Sequence, residues 1–98
     1  MKIDIQRSTD MTTIKVVGRV DRFTAYSFAS TIYDNLDGAD TLILELSGVE
    51  YVSDEGLGVL VGAHEKMKQR GTLKLVGVCD CVKESMRAHG IADVLLTG

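Results

Sequence analysis

The 98-residue sequence predicts a single α/β domain with a mixed, mostly parallel sheet of four to five strands and helices packed on it. Short apolar strands alternate with segments of helical period, an order that implies right-handed crossovers between parallel strands. The chain opens with two strand-like segments around a polar turn, which predicts an antiparallel hairpin at the sheet edge. The resulting order is β-β-α-β-α-β-α. Because the length suits one compact core, we expect one domain over residues 1–98.

The opening hairpin is predicted from apolar residues that recur within two short segments. Lys2 to Arg7 alternates apolar and polar residues, and Thr12 to Val17 is the second strand. The cluster Ser8-Thr9-Asp10 supplies the turn between them. Gly18 is expected to end the second strand, and Arg19-Val20-Asp21-Arg22 is expected to form a loop.

The first helix is predicted between Thr24, as its N-cap, and Gly38, as its stop. Apolar residues recur between them with the helical period, at Ala25, Phe28, Ile32 and Leu36. The next segment, Thr41 to Leu46, is apolar and too short for a helix. It is therefore predicted to be a short buried strand.

A central stretch, residues 42–67, is predicted to pass from this strand through a short polar turn into a second helix. Ser53 is a good N-cap, and Asp54 and Glu55 follow at the positive end of the helix dipole. One stripe faces a core, at Leu57, Leu60, Val61, His64 and Met67. The predicted helix contains three glycines, Gly56, Gly58 and Gly62, and each costs about 1 kcal/mol relative to alanine. Because this cost must be offset, we expect close approach of another backbone or of a partner.

The last third of the chain repeats the strand-then-helix order. Leu73 to Val78 is predicted to be a buried strand. Asp80 is predicted to cap a third helix that carries Val82 and Met86, with Ala88 as a further apolar position, and that ends at His89-Gly90. Ile91 to Leu96 is apolar and is either a short strand or the start of a terminal element.

Composition excludes several classes of function. The net charge of −3 leaves no basic patch, which argues against nucleic-acid binding. No apolar run reaches the roughly 18 residues that span a bilayer, and no secretory signal opens the chain, so we expect a cytoplasmic protein without membrane insertion. Cys79 and Cys81 lack a second pair that would complete a zinc site and are expected to be reduced thiols. We expect no metal and no cofactor.

Two chemical interpretations of the central helix start are disfavoured. Gly56 and Gly58 there are reminiscent of a phosphate cradle, but the adjacent acids oppose an anion and no P-loop lysine follows. Asp54 and Glu55 could act as an acid–base pair in a small enzyme, yet neighbouring side chains at a helix start diverge by about 100°. We therefore expect no catalytic residue.

The stretch from Glu45 to Leu60, Glu-Leu-Ser-Gly-Val-Glu-Tyr-Val-Ser-Asp-Glu-Gly-Leu-Gly-Val-Leu, resembles the central signature of STAS domains, in particular the anti-sigma factor antagonists. Gly18 to Ala25 is similar to a second motif of that family, and Gly77-Val78, Val82 and Gly90 to Leu95 match its last third. The resemblance implies a non-catalytic α/β domain that docks on an anti-sigma factor, often a serine kinase, and so frees a sigma factor. Phosphorylation of a regulatory hydroxyl by that kinase switches the docking off.

One position departs from the family pattern. The regulatory Ser or Thr lies two residues before the motif glycine, which places it on Asp54, a residue without a hydroxyl, while Ser53 precedes it. Three interpretations stay open: an unswitchable domain, an incomplete mimic of the phosphorylated state, or Ser53 as a displaced phosphorylation site. The resemblance assigns partner contacts to Asp21, Ser47, Ser53, Asp54, Glu55, Gly56 and Leu57. The alternative function is a STAS subunit of a membrane transport or signalling assembly.

Overall fold

The computed structural model describes residues 1–92, and their elements follow the predicted order. They are β1 Lys2–Arg7, β2 Met11–Val20, α1 Ala25–Asp34, β3 Thr41–Val52, α2 Asp54–Met67, β4 Thr72–Val76 and α3 Asp80–Ala88. The terminal element predicted over Ile91 to Leu96 extends beyond the described residues from position 93 onward.

The sheet has the order β1-β2-β3-β4 and confirms the predicted fold class, with four strands. β1 pairs antiparallel with β2, while β2 with β3 and β3 with β4 pair in parallel. α1 and α2 are the two crossovers, so they run parallel to each other and pack side by side. Buried side chains from the sheet and from all three helices form one core; its largest members include Phe28, Ile14, Ile32, Leu42, Leu44, Leu46, Leu60, Met67 and Met86.

β2 continues beyond the predicted end at Gly18, so the prediction that Gly18 stops the strand was wrong. Parallel pairing with β3 runs on to Val20, which lies opposite Val52, and Arg19 therefore belongs to the strand and not to a loop. Gly18 has φ of +117°, a conformation that side chains disfavour, and the register shifts beside it. The glycine therefore bends the strand without ending it.

β3 is twice as long as predicted, because the residues taken for a polar turn are part of the strand. Beyond the predicted end at Leu46, Val49 and Val52 are buried, which extends the core face of β3 to the start of α2. Gly48 interrupts the apolar pattern for a packing reason: a Cβ there would lie 2.9 Å from Cγ2 of Val17.

Two further boundaries, the end of β4 and the start of α3, differ from prediction. β4 ends at Val76 instead of Val78, because Gly77 adopts φ of +71°. The residue at the N-cap of α3 is Cys79 and not Asp80, which is the first helical residue. The Cys79 thiol lies 3.4 Å from the Val49 carbonyl oxygen, so it joins the start of α3 to β3.

The glycines of α2 have three different environments. A Cβ on Gly56 would lie 2.7 Å from Cγ1 of Val52 and 2.8 Å from Cγ1 of Val20, so the close neighbours there are side chains of the sheet and not the backbone that was predicted. On Gly62 it would lie 2.5 Å from the Tyr33 hydroxyl of α1. A Cβ on Gly58 would meet no heavy atom within 4 Å among the described residues.

This difference predicts opposite effects of two alanine substitutions in one helix. Gly56→Ala forces a methyl against two stiff valines, and overpacking typically costs about 1–3 kcal/mol, more than the helix propensity gained. Gly58→Ala meets open space and is expected to raise the free energy of unfolding by up to about 1 kcal/mol. Urea denaturation of the two variants against the wild type measures both, and a stabilised Gly56→Ala would contradict the packing argument.

Candidate functional surface at the start of α2

The start of α2 is fixed to the end of the neighbouring strand. Val20 and Val52, the last residues of β2 and β3, lie opposite each other in the parallel ladder. The Ser53 backbone N–H donates to the Val20 carbonyl oxygen at 2.7 Å. The segments that leave the two strands, the Asp21 loop and the first turn of α2, therefore begin side by side.

Ser53 is the N-cap of α2, as predicted. Its hydroxyl oxygen accepts the Gly56 backbone N–H at 3.2 Å, and the residue is 7% exposed. Gly56 and Leu57 are buried as well. Of the consecutive positions 53–57 that the resemblance assigns to a partner, the structure turns three into the core and leaves two on the surface.

The two surface residues, Asp54 and Glu55, form what we call the acidic turn. Both are exposed, and the Asp54 side chain keeps 81% of its accessible area. They lie in the first turn of α2, where carboxylates are favoured by the helix dipole. The exposed part of the helix start is therefore negatively charged.

The acidic turn is joined to the far end of α3 by an ion pair that sequence reasoning missed. Nε2 of His89 lies 2.8 Å from Oδ1 of Asp54, and Nδ1 lies 2.8 Å from the Ser85 carbonyl oxygen. With an oxygen at each ring nitrogen, the imidazolium is the form that donates to both. The pKa of His89 is raised above its ordinary value of 6.5. The hydrogen bond to the Ser85 carbonyl is the largest cause, followed by the charge and the hydrogen bond of Asp54.

Asp21 organises its own loop. One carboxylate oxygen accepts the backbone N–H of Phe23 at 2.9 Å and that of Thr24 at 3.0 Å. The hydrogen bond from the Thr24 N–H is the largest cause that lowers the pKa of the Asp21 carboxyl. The Thr24 hydroxyl accepts the Asp21 N–H and donates to the Arg19 carbonyl, both at 2.9 Å. Thr24 holds the predicted N-cap position, but its side chain ties the loop together and caps no helical N–H.

Ser47 is not brought to the acidic turn. It lies in the middle of β3, six residues before Ser53, a separation of roughly 20 Å along an extended strand. Its N–H donates to Glu45 at 2.9 Å, and hydrogen bonds from the Ser47 hydroxyl and N–H lower the pKa of the Glu45 carboxyl.

Two aromatic side chains are strongly exposed beside the Asp21 loop. Phe23 keeps 78% and Tyr26 keeps 82% of its accessible area, whereas the other exposed large hydrophobic residues keep 39–43%. The Arg22 guanidinium lies 4.8 Å from the Phe23 ring centroid. Sequence reasoning missed this exposure, because nothing in the helical period shows which aromatic side chains the neighbouring elements leave uncovered.

A shallow cavity of about 490 Å³ lies elsewhere, on the sheet face opposite the helices between Asp4, Lys15 and Glu45. Among residues 1–92, no three His, Cys, Asp or Glu side chains cluster as metal ligands would. No helix within that range has the length and hydrophobicity to cross a bilayer.

Comparison with known proteins identifies the family. The model of the STAS domain matches residues 2–97. This chain belongs to the STAS domain family. The anti-sigma-B factor antagonist of Listeria monocytogenes is 33% identical over 93 residues, covering 92% of this chain and 81% of that protein.

Solved structures of STAS relatives share the fold. An anti-sigma factor antagonist from Mycobacterium paratuberculosis superposes with a TM-score of 0.86 at 20% identity, covering 96% of this chain and 81% of that one. The Bacillus cell fate determinant SpoIIAA in its phosphorylated form gives a TM-score of 0.75 at 12% identity, with 97% and 89% covered. At these identities the likeness establishes the fold alone.

The ion pair between α2 and α3 predicts a pH dependence with a defined sign. Because the pKa of His89 is raised on folding, its contacts contribute stability that is fully present below pH 6.5 and is lost as the pH rises through the folded pKa. Asp54→Asn is expected to lower the pKa of His89, measured by NMR titration of the imidazole ring, while the Ser85 carbonyl keeps part of the shift. Glu55→Gln removes the neighbouring carboxylate as the matched control. Equal effects of the two substitutions would contradict a specific Asp54 pair.

Proposed function

We propose that this STAS domain, over residues 1–98, is a cytoplasmic anti-sigma factor antagonist that binds an anti-sigma factor and thereby releases a sigma factor. The observation that carries the proposal is the 33% identity to the anti-sigma-B factor antagonist of Listeria monocytogenes over 92% of this chain. The function is regulatory and needs no catalytic residue. It is exerted by binding alone.

The proposed docking surface consists of the acidic turn and the Asp21 loop. Asp54 and Glu55 are exposed and the loop lies beside them, because the Ser53 N–H is bonded to the end of β2. The acidic turn packs on three buried residues that fix its shape, Ser53, Gly56 and Leu57. Ser47 lies outside this surface, on β3.

We further propose that the ordinary phosphorylation switch is altered or lost. Asp54, at the family's phosphoacceptor position, carries a charge of −1 and no hydroxyl, against about −1.5 to −2 for phosphoserine. Ser53 is 7% exposed and its hydroxyl holds the Gly56 N–H, so a kinase would have to open the first turn of α2 to reach it. These two facts favour an unswitched domain over one that uses Ser53 as a displaced phosphorylation site.

Binding is tested with the purified anti-sigma factors encoded in the same genome, measured by isothermal titration calorimetry. We expect one of them to bind the wild-type chain, with a dissociation constant between nanomolar and micromolar. Asp54→Lys reverses the charge at the centre of the proposed surface and is expected to change that affinity at least about tenfold. Lys74→Glu reverses the charge of an exposed side chain on β4 and is the matched control. If the wild type binds none of them, the proposal fails.

Phosphorylation is tested by incubating the chain with a bound anti-sigma factor that has kinase activity and mapping the product by mass spectrometry. We expect no phosphate on the wild type. The Asp54→Ser variant restores a hydroxyl at the family's phosphoacceptor position, and we expect phosphate on the introduced serine. A phosphate found on Ser53 of the wild type would overturn the unswitched interpretation and support a displaced acceptor.

A further inference from the structure

Phe23 and Tyr26 are the most exposed large hydrophobic side chains among residues 1–92, and they lie three residues apart at the start of α1. Their exposed fractions are about twice those of Met11 or Tyr51. Single exposed apolar residues are common, but two aromatic side chains at one helix start form a patch. Aromatic residues are also the side chains most enriched among interface anchors.

Tyr26 and the acidic turn lie at the same end of the helix pair α1 and α2. The two helices run parallel, and the Tyr33 hydroxyl lies against Gly62. Tyr26 precedes Tyr33 by seven residues, and Glu55 precedes Gly62 by seven, which is two helical turns in each case. Tyr26 and Glu55 therefore both lie at the N-terminal end of the parallel helix pair.

Gly58 shows that this flank of α2 is open, because the residue is exposed and a Cβ there would meet no heavy atom within 4 Å among the described residues. Within residues 1–92, the Asp54 carboxylate has His89 as an ion-pair partner and Glu55 has none.

The Asp21 loop carries Phe23 immediately before α1. Asp21 accepts the backbone N–H of Phe23 and so fixes the loop backbone at that residue, while the Phe23 side chain keeps 78% of its accessible area. The single carboxylate oxygen that bonds both N–H groups is committed within the loop. Asp21 is thus suited to position Phe23.

Resting on the proposed function, we propose that Phe23 and Tyr26 are the anchor side chains of the interface and that Asp21 acts as a positioning residue. The partner that fits is an anti-sigma factor with an apolar cleft for two aromatic rings and a Lys or Arg at the rim facing Glu55. Burial of the rings supplies affinity, and the charge pair fixes the orientation of the complex.

The experiment titrates the anti-sigma factor identified above with single alanine variants. Phe23→Ala and Tyr26→Ala are each expected to weaken binding at least about tenfold, while the thermal midpoint stays that of the wild type because both rings are exposed. Met11→Ala is the matched control, since it removes an exposed side chain at the opposite end of β2 and is expected to leave binding unchanged.

Two variants of Asp21 separate positioning from charge. Asp21→Asn keeps an oxygen that accepts the two loop N–H groups and is expected to bind like the wild type, whereas Asp21→Ala loses both bonds and weakens binding. Weak binding by Asp21→Asn with an unchanged thermal midpoint would show direct recognition of the carboxylate and overturn the positioning role.

The outcomes distinguish this inference from the proposed function. If the wild type binds and both aromatic variants bind equally well, the inference fails and the proposed function stands. If the wild type binds no anti-sigma factor, both fail. If sedimentation shows that the chain dimerises, and Tyr26→Ala breaks the dimer without changing partner affinity, the patch serves a second copy of this chain and the inference is wrong.

Discussion

The contact of the α2 start with the ends of β2 and β3 determines the arrangement of the proposed docking surface. Gly56 lies so close to Val20 and Val52 that a single methyl would overlap both. The hydrogen bond from the Ser53 N–H to Val20 fixes the same junction through the backbone. Because Gly56 has no side chain, the valines that end the two strands pack directly against the backbone of α2, and the loop that follows β2 is held beside its first turn.

This junction separates groups that shape the surface from groups that are presented on it. Ser53 and Asp21 both engage their side-chain oxygens with backbone N–H groups of their own segments. Asp54, Glu55, Phe23 and Tyr26 remain accessible. A hydroxyl or carboxylate that already accepts a backbone N–H therefore shapes the proposed docking surface, whereas one that accepts none is presented on it.

The ion pair of His89 with Asp54 adds a second constraint on the acidic turn. It joins residues 35 positions apart in the chain and brings the end of α3 against Asp54 in the first turn of α2. Since both partners are substantially exposed, the pair contributes little to stability. Its effect is on local charge: the imidazolium, when protonated, offsets the Asp54 carboxylate, whereas Glu55 has no ion-pair partner among residues 1–92.

The sequence by itself determined the order of elements, the parallel crossovers, the Ser53 cap and the acidic first turn, since each depends on periodicity or on residues within one turn of each other. The tertiary structure decided how far the strands extend: β3 reaches Val52 across Ser47 and Gly48 because β2 lies alongside to pair with it. It also decided which aromatic side chains stay uncovered, with Phe23 and Tyr26 in solvent. Those outcomes depend on contacts between segments far apart in the chain, and local spacing carries no record of such contacts.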